Sequence, residues 1–225
     1  MSKIGDSVAK IKQMQEASNT LITPHKIVSV HSPSKTEKSI PTGNIAEFYI
    51  AAGYPMGFFL ENDDETWSFG IEFRNSEVND VLLIPLSLYD FWAQRVKRQS
   101  ISKLNLNDEE FQLLQVAREK KLLYESDTME GLLSNISHLT MMRQGIGSFR
   151  NETTCIGLGV NEVPVNDKEF VVWRLASGEY PIEYAFPYYC KMMRHSNPDI
   201  TMETLETDFF MGMTKLVGNN LLMLR

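Results

Sequence analysis

The residues able to ligate a metal or attack a substrate are few: four histidines and two cysteines. His25, His31, His138 and His195 are scattered, with no pair at helical spacing and no cysteine at ligand spacing. Cys190 and His195 fall on one helix-like stretch, and a Cys–His pair is a nucleophile in principle. Met192, Met193 and Arg194 intervene, however, and no third group is placed to orient the ring. Cys155 sits in strand-like sequence, so both cysteines read as buried free thiols. Glu61, Asn62, Asp63, Asp64 and Glu65 offer hard oxygen ligands, but without the spaced pattern and distal glutamate of a calcium loop. They read as a solvated hairpin connection. The pairs Gly145/Gly147 and Gly157/Gly159 lack the third glycine and helix of a dinucleotide site, and no phosphate-binding Gly-Lys-Ser/Thr loop is present. No catalytic residue, metal or cofactor is expected, and the chain reads as a binding protein rather than an enzyme.

The bulk properties agree with that reading. The chain has 225 residues, 43% hydrophobic and 23% charged, with a formal net charge of −7. That is an ordinary globular composition, long enough to bury a real core. The acidic balance counts against a general nucleic-acid binder. Two cysteines are too few for a disulfide scaffold. The N-terminus has no apolar signal-peptide region, and no apolar run approaches the roughly 20 residues that span a bilayer. A cytoplasmic location and no membrane partner are expected.

The elements follow from periodicity. Residues 1–44 read as an N-terminal arm and flexible linker. Ile4, Val8, Ile11, Met14 and Leu21 lie at near-helical spacing, followed by a Ser/Thr/Lys/Pro-rich stretch at 29–44. The arm could dock on a partner or on a second copy. Residues 44–52 suggest a short helix closed by Gly53. Residues 57–60 read as a strand, and Trp67, Phe69, Ile71 and Phe73 alternate as a second strand with one buried face. Residues 81–86 form a third, ending at a proline that suits an edge or strand end. Ser87 then caps a helix, with Asp90 completing an approximate capping box. Residues 107–124 predict a helix capped by Asn107, with Phe111, Leu114, Ala117 and Lys121 on one side. Another helix is predicted over 129–142.

A repeat organises these elements. Ile84-Pro85-Leu86-Ser87 aligns with Val163-Pro164-Val165-Asn166, Asp90-Phe91 with Glu169-Phe170, and Arg95 with Arg174. Each copy is a strand passing through a proline into a capped helix. Each is followed by a further capped helix with a leucine pair at its end, Leu122-Leu123 and Leu221-Leu222. The expected fold is α+β, with two pseudo-repeated winged-helix-like units of antiparallel strands plus helices at 45–128 and 129–225. The copies differ: the first is locally basic, and the second is acidic and rich in the chain's twelve methionines, among them Met192, Met193, Met202, Met211 and Met213. Such side chains suit a plastic partner surface.

Two family resemblances enter here. Phe170, Trp173 and Leu175, the Gly turn and second helix start in Gly178-Glu179-Tyr180-Pro181-Ile182-Glu183, and residues 205–224 resemble the PqqD-type peptide-recognition element of ribosomal peptide biosynthesis. There a leader peptide adds as a strand beside a winged-helix core. The chain departs from that family in an insertion at 188–197 and in the duplication. Residues 114–143, notably Arg118-Glu119-Lys120-Lys121-Leu122-Leu123-Tyr124, resemble the EspG- and EsaE-type chaperones of type VII secretion, pseudo-symmetric α+β proteins that hold secreted substrates. Both resemblances imply a protein that binds another polypeptide.

The expected function is therefore a polypeptide-binding adaptor or chaperone acting at an exposed strand edge. The candidate edges are Trp67, Phe69, Ile71 and Phe73 in the first unit, and Phe149 and Ile156 in the second. If these are edges, proline at Ile71 or Ile156 should abolish binding and spare the fold. The alternative is a winged-helix DNA-binding regulator using Arg95, Lys97, Arg98, Lys103, Arg118, Lys120 and Lys121. A phage- or plasmid-type protein of unknown mechanism is a further alternative. A protein or peptide partner is expected, with nucleic acid or a second copy as the other options.

Overall fold

Strand β2 (Phe48–Ala51) lies between two hydrophobic cores, and strand alternation decides which side chain enters which. Tyr49 and Ala51 join the first core; Ile50 and Ala52 join the second, with Phe48 packed against it. This is seen in a computed structural model that describes residues 27–29, 46–61, 66–75, 78–99, 106–150 and 152–225. The predicted arm at 3–21 and all of the linker expected at 29–44 except Ser29 lie outside the described residues, and Ser29 instead ends a short strand begun at Ile27. The fold is mixed α+β.

The helix expected over 44–52 is instead strand from Phe48 to Ala51. Its aromatic and β-branched residues suit a pleated surface buried on both faces. It pairs antiparallel with β6 (Leu123–Ser126), Phe48 opposite Ser126 and Ala51 opposite Leu123. Leu123 therefore faces the first core and Tyr124 the second.

After β2 come β3 (Tyr54–Glu61), β4 (Thr66–Asn75) and β5 (Val78–Pro85), an antiparallel meander. β1 (Ile27–Ser29) adds parallel to β5, giving the order β1-β5-β4-β3. Pro85 ends β5, and α1 (Leu86–Asp90) begins at once. Its N-cap is Pro85, without a side-chain cap, so Ser87 does not have the capping role expected of it. Proline's fixed φ carries the chain from extended to helical geometry, which moves the start of the helix ahead of Ser87. α1 runs on as a π-helical segment, Phe91–Val96, whose wider turn is continued by the Lys97 amide donating to the Trp92 carbonyl at 2.9 Å. α2 (Asp108–Glu119) has the predicted Asn107 cap in a reciprocal capping box with Glu110. It stops short of 124. Lys121 takes a left-handed φ of 56°, and the chain turns into β6.

The remaining chain opens with α3 (Met129–Ile136) and β7 (Thr140–Arg143), so the single helix expected over 129–142 is a helix and a strand. A second antiparallel meander follows: β8 (Ile146–Arg150), β9 (Thr153–Leu158) and β10 (Asn161–Val165). Asn166 caps α4 (Asp167–Leu175) in a second capping box with Glu169. Then come β11 (Ser177–Pro181), α5 (Ile182–Ser196), α6 (Met202–Gly218) and β12 (Leu222–Leu224). The glycine turn expected from Gly178 is thus a strand, and α5 begins at Ile182 where the resemblance placed a helix start. β7 takes β11 on one side and β12 on the other. The second core gathers α3, α4, α5 and α6 around Phe209, Phe210, Tyr189 and Val172. The Gly53 amide donates to the Leu224 carbonyl at 2.8 Å, so the end of the chain is bonded to the turn after β2.

Candidate functional site

The first strand of a meander has one sequential neighbour, and among the described residues β3 pairs with β4 alone. A bulge interrupts it between Pro55 and Gly57, where Gly57 takes a φ of 104° that a side chain would strain. Beyond the bulge the strand is regular: Phe58 lies opposite Phe69, Phe59 opposite Ser68 and Leu60 opposite Trp67. Phe58 and Leu60 are 48% and 49% exposed, and Trp67 beside them is 50% exposed. Phe58, Phe69 and Tyr89 form an aromatic triad, ring centroids 4.9 to 5.3 Å apart, which fixes this face of the edge against α1. On the opposite face Phe59 covers Gly70. A Cβ there would stand 2.4 Å from the Phe59 ring, so glycine is what lets the ring lie flat on the sheet. Tyr54, Met56 and Leu86 are also exposed. The result is a long edge strand with large apolar side chains on both faces, which proteins ordinarily blunt with charge or brevity.

The exposed apolar edge lies one strand away from where an edge was expected. Trp67, Phe69, Ile71 and Phe73 lie on β4, which is hydrogen-bonded to β3 on one side and β5 on the other. Ile156 lies on β9, likewise central between β8 and β10. Neither strand presents a free edge. Ile71, Phe73 and Ile156 are buried core residues. Only Phe149, exposed on β8, sits on an edge strand. Alternation along 67–73 identifies a strand with a buried face, but carries no information about its neighbours. The signal that points to β3 is the apolar run 57–60 placed first in the meander.

Three of the six described basic candidates are engaged within the fold. Arg95 pairs with Glu110 at 3.1 Å and lies over the Phe91 ring. Arg118 grips Glu125 through two contacts, of 2.5 and 2.9 Å. Lys97 Nζ donates to the Asn220 side chain. Lys120 is partly buried, while Arg98 and Lys121 are exposed; Lys103 lies outside the described residues. Burial, helped by the Arg98 charge, pulls the Lys97 ammonium down from 10.5 to about 8. Its folded value is below its unfolded value, so the penalty is full below pH 8 and is relieved as pH rises toward 10.5. Lys97→Met should therefore gain stability on the wild type at neutral pH and lose that gain by the top of this window. The expected change in the difference is about 1–2 kcal/mol, read from urea midpoints across the range.

Cys190 and His195 are both on α5, Cys190 buried and His195 exposed. Burial raises the Cys190 thiol above its usual range, against the thiolate a nucleophile needs. Among the described residues no cluster of three His, Cys, Asp or Glu is placed to hold a metal, and no helix is long and apolar enough to cross a membrane. No protein-family model, no curated protein and no solved structure matches this chain.

Proposed function

We propose that this protein is a non-enzymatic adaptor or chaperone that binds an extended segment of another polypeptide along β3. The observation that carries the reading is the apolar edge itself. The incoming strand gains main-chain hydrogen bonds from residues 57–61, and its alternate side chains meet Phe58, Leu60 and Trp67 on one face and Phe59 on the other. We read the two parts of the chain as diverged copies of one winged-helix-like unit. Support comes from element order: strand, three-stranded meander, proline at or near the end of its last strand, helix, later helix, and a closing strand paired antiparallel with the first. Both family resemblances, PqqD-type and EspG/EsaE-type, belong to proteins that hold another polypeptide, which favours the same reading. The DNA-binding alternative has less behind it, because Arg95, Arg118 and Lys97 already have partners.

The test is to pan a random displayed peptide library on the immobilised full chain. Enriched sequences should alternate apolar and polar residues, without a helical period. Phe58→Lys with Leu60→Lys should weaken them at least about tenfold, or about 1.4 kcal/mol. The same exchange at Ile146 and Phe149 on β8 should leave them bound. Enrichment of helix-patterned peptides, or binding that survives the β3 exchange, would sink the proposal.

A further inference from the structure

The outward face of α5 carries a second surface, unrelated to β3. Tyr184, Tyr188, Lys191 and His195 are all exposed and follow one another at intervals of four, three and four residues. That is the spacing of a coiled-coil seam. The stripe is divided by chemistry. Its N-terminal part is aromatic, extended by Tyr180 at the end of β11, which is 61% exposed. Its C-terminal part is cationic, extended by exposed Arg194. Among the described residues Lys191 and His195 have no ion pair or side-chain hydrogen bond, and Arg194 reaches only the Met202 sulfur at 3.9 Å. A cavity of about 450 Å³ opens beside the cationic part, lined by Phe186, Pro187, Cys190, Lys191, Arg194 and Met202.

We infer that α5 is the interface of a two-fold homodimer in which two copies pack antiparallel. The charge pattern selects the occupant and its direction. A second copy laid antiparallel places Tyr184 opposite His195 and Tyr188 opposite Lys191, and the two-fold axis repeats both contacts. The Tyr188 ring then meets the Lys191 ammonium and the Tyr184 ring packs against the His195 imidazole, and the Tyr180 end of one copy reaches the Arg194 side of the cavity in the other. A parallel arrangement would set cation against cation and forfeit these contacts. Tyrosine and arginine are the residues that anchor interfaces of this kind. One helix face a side is a small contact, so a weak dimer follows.

Sedimentation equilibrium of the full chain from about 10 to 100 µM tests this, a range suited to weak association. The wild type should dimerise. Tyr184→Lys with Tyr188→Lys should be monomeric, because lysine then faces Lys191 and His195. Lys191→Glu with Arg194→Glu should also be monomeric, because carboxylates face the tyrosine rings. An equal mixture of the two variants should dimerise again, lysine now meeting glutamate in one half of the seam. All four positions are exposed, so circular dichroism melts should stay close to wild type. Phe58→Lys with Leu60→Lys should leave the dimer intact, which separates this interface from the β3 edge. A monomeric wild type, a double variant that dimerises as wild type does, a mixture that stays monomeric, or a dimer lost with the β3 exchange would each overturn the inference.

Discussion

Ile71→Pro should leave no folded protein in buffer at room temperature. Ile71 is 2% exposed on β4, opposite Pro55 of β3 on one side and Leu82 of β5 on the other. Proline removes an amide donor from a central ladder and cannot replace the packing of the isoleucine side chain. Together these cost more than about 4 kcal/mol, a large share of the roughly 5–15 kcal/mol that holds a domain folded. Soluble yield, far-ultraviolet circular dichroism and the urea midpoint read the loss. Ile156→Pro on central β9 should behave the same way. By contrast, Leu60→Lys on exposed β3 should change stability by no more than about 1 kcal/mol. If Ile71→Pro folded normally and lost only its partner, β4 would have to be an edge, and the sheet order β1-β5-β4-β3 would be wrong.

Ile50→Asp should unfold both cores together. Ile50 is 1% exposed and projects from β2 into the second core, while its neighbours Tyr49 and Ala51 project into the first. A carboxylate there has no designed partner, and burying it costs more than about 4 kcal/mol. The strand it disrupts is packed on both faces, so the damage reaches each side. The tryptophans report this separately: Trp92 is buried in the first core and Trp173 in the second, its indole N–H donating to the Gln144 carbonyl at 2.9 Å. In two-dimensional NMR spectra the indole resonances of Trp92 and Trp173 should collapse together to the unfolded position. A native Trp92 resonance beside a lost Trp173 would show two separable domains instead. Ile50→Val, which deletes one methyl group, should cost only about 0.5–1.5 kcal/mol and keep both resonances native.

Local chemistry made some elements legible and hid others. The capping boxes at Asn107 and Asn166 are visible because a capping residue and its target lie within one turn. The alternation of residues 67–73 likewise announces β4. Its exposure then falls along the strand, from Trp67 near its start to Ile71 and Phe73 in the core. Short strands directly after helices were hidden. Leu122 and Leu123 continue the apolar pattern of α2, yet Leu123 begins β6; no glycine or proline marks the break, which Lys121 makes with a left-handed turn. The same holds for β7, where Met141 and Met142 prolong the pattern of α3. β2 looked helical because Gly53, with Pro55 just beyond, resembles a helix end, and its pairing with a strand some seventy residues away overrode that signal. Whether a strand is central or at an edge depends on partners distant in the chain, so periodicity identified β4 correctly as a strand while the expectation that it is an edge was wrong.

The most direct measurement of the proposed function is amide hydrogen exchange on the full chain, with and without a peptide enriched by the library. If a partner adds a strand to β3, the amides of residues 57–61 that face away from β4 should exchange more slowly when the peptide is bound, while α5 and β8 stay as they were. Slowed exchange confined to β8 or α5, with β3 unchanged, would contradict it.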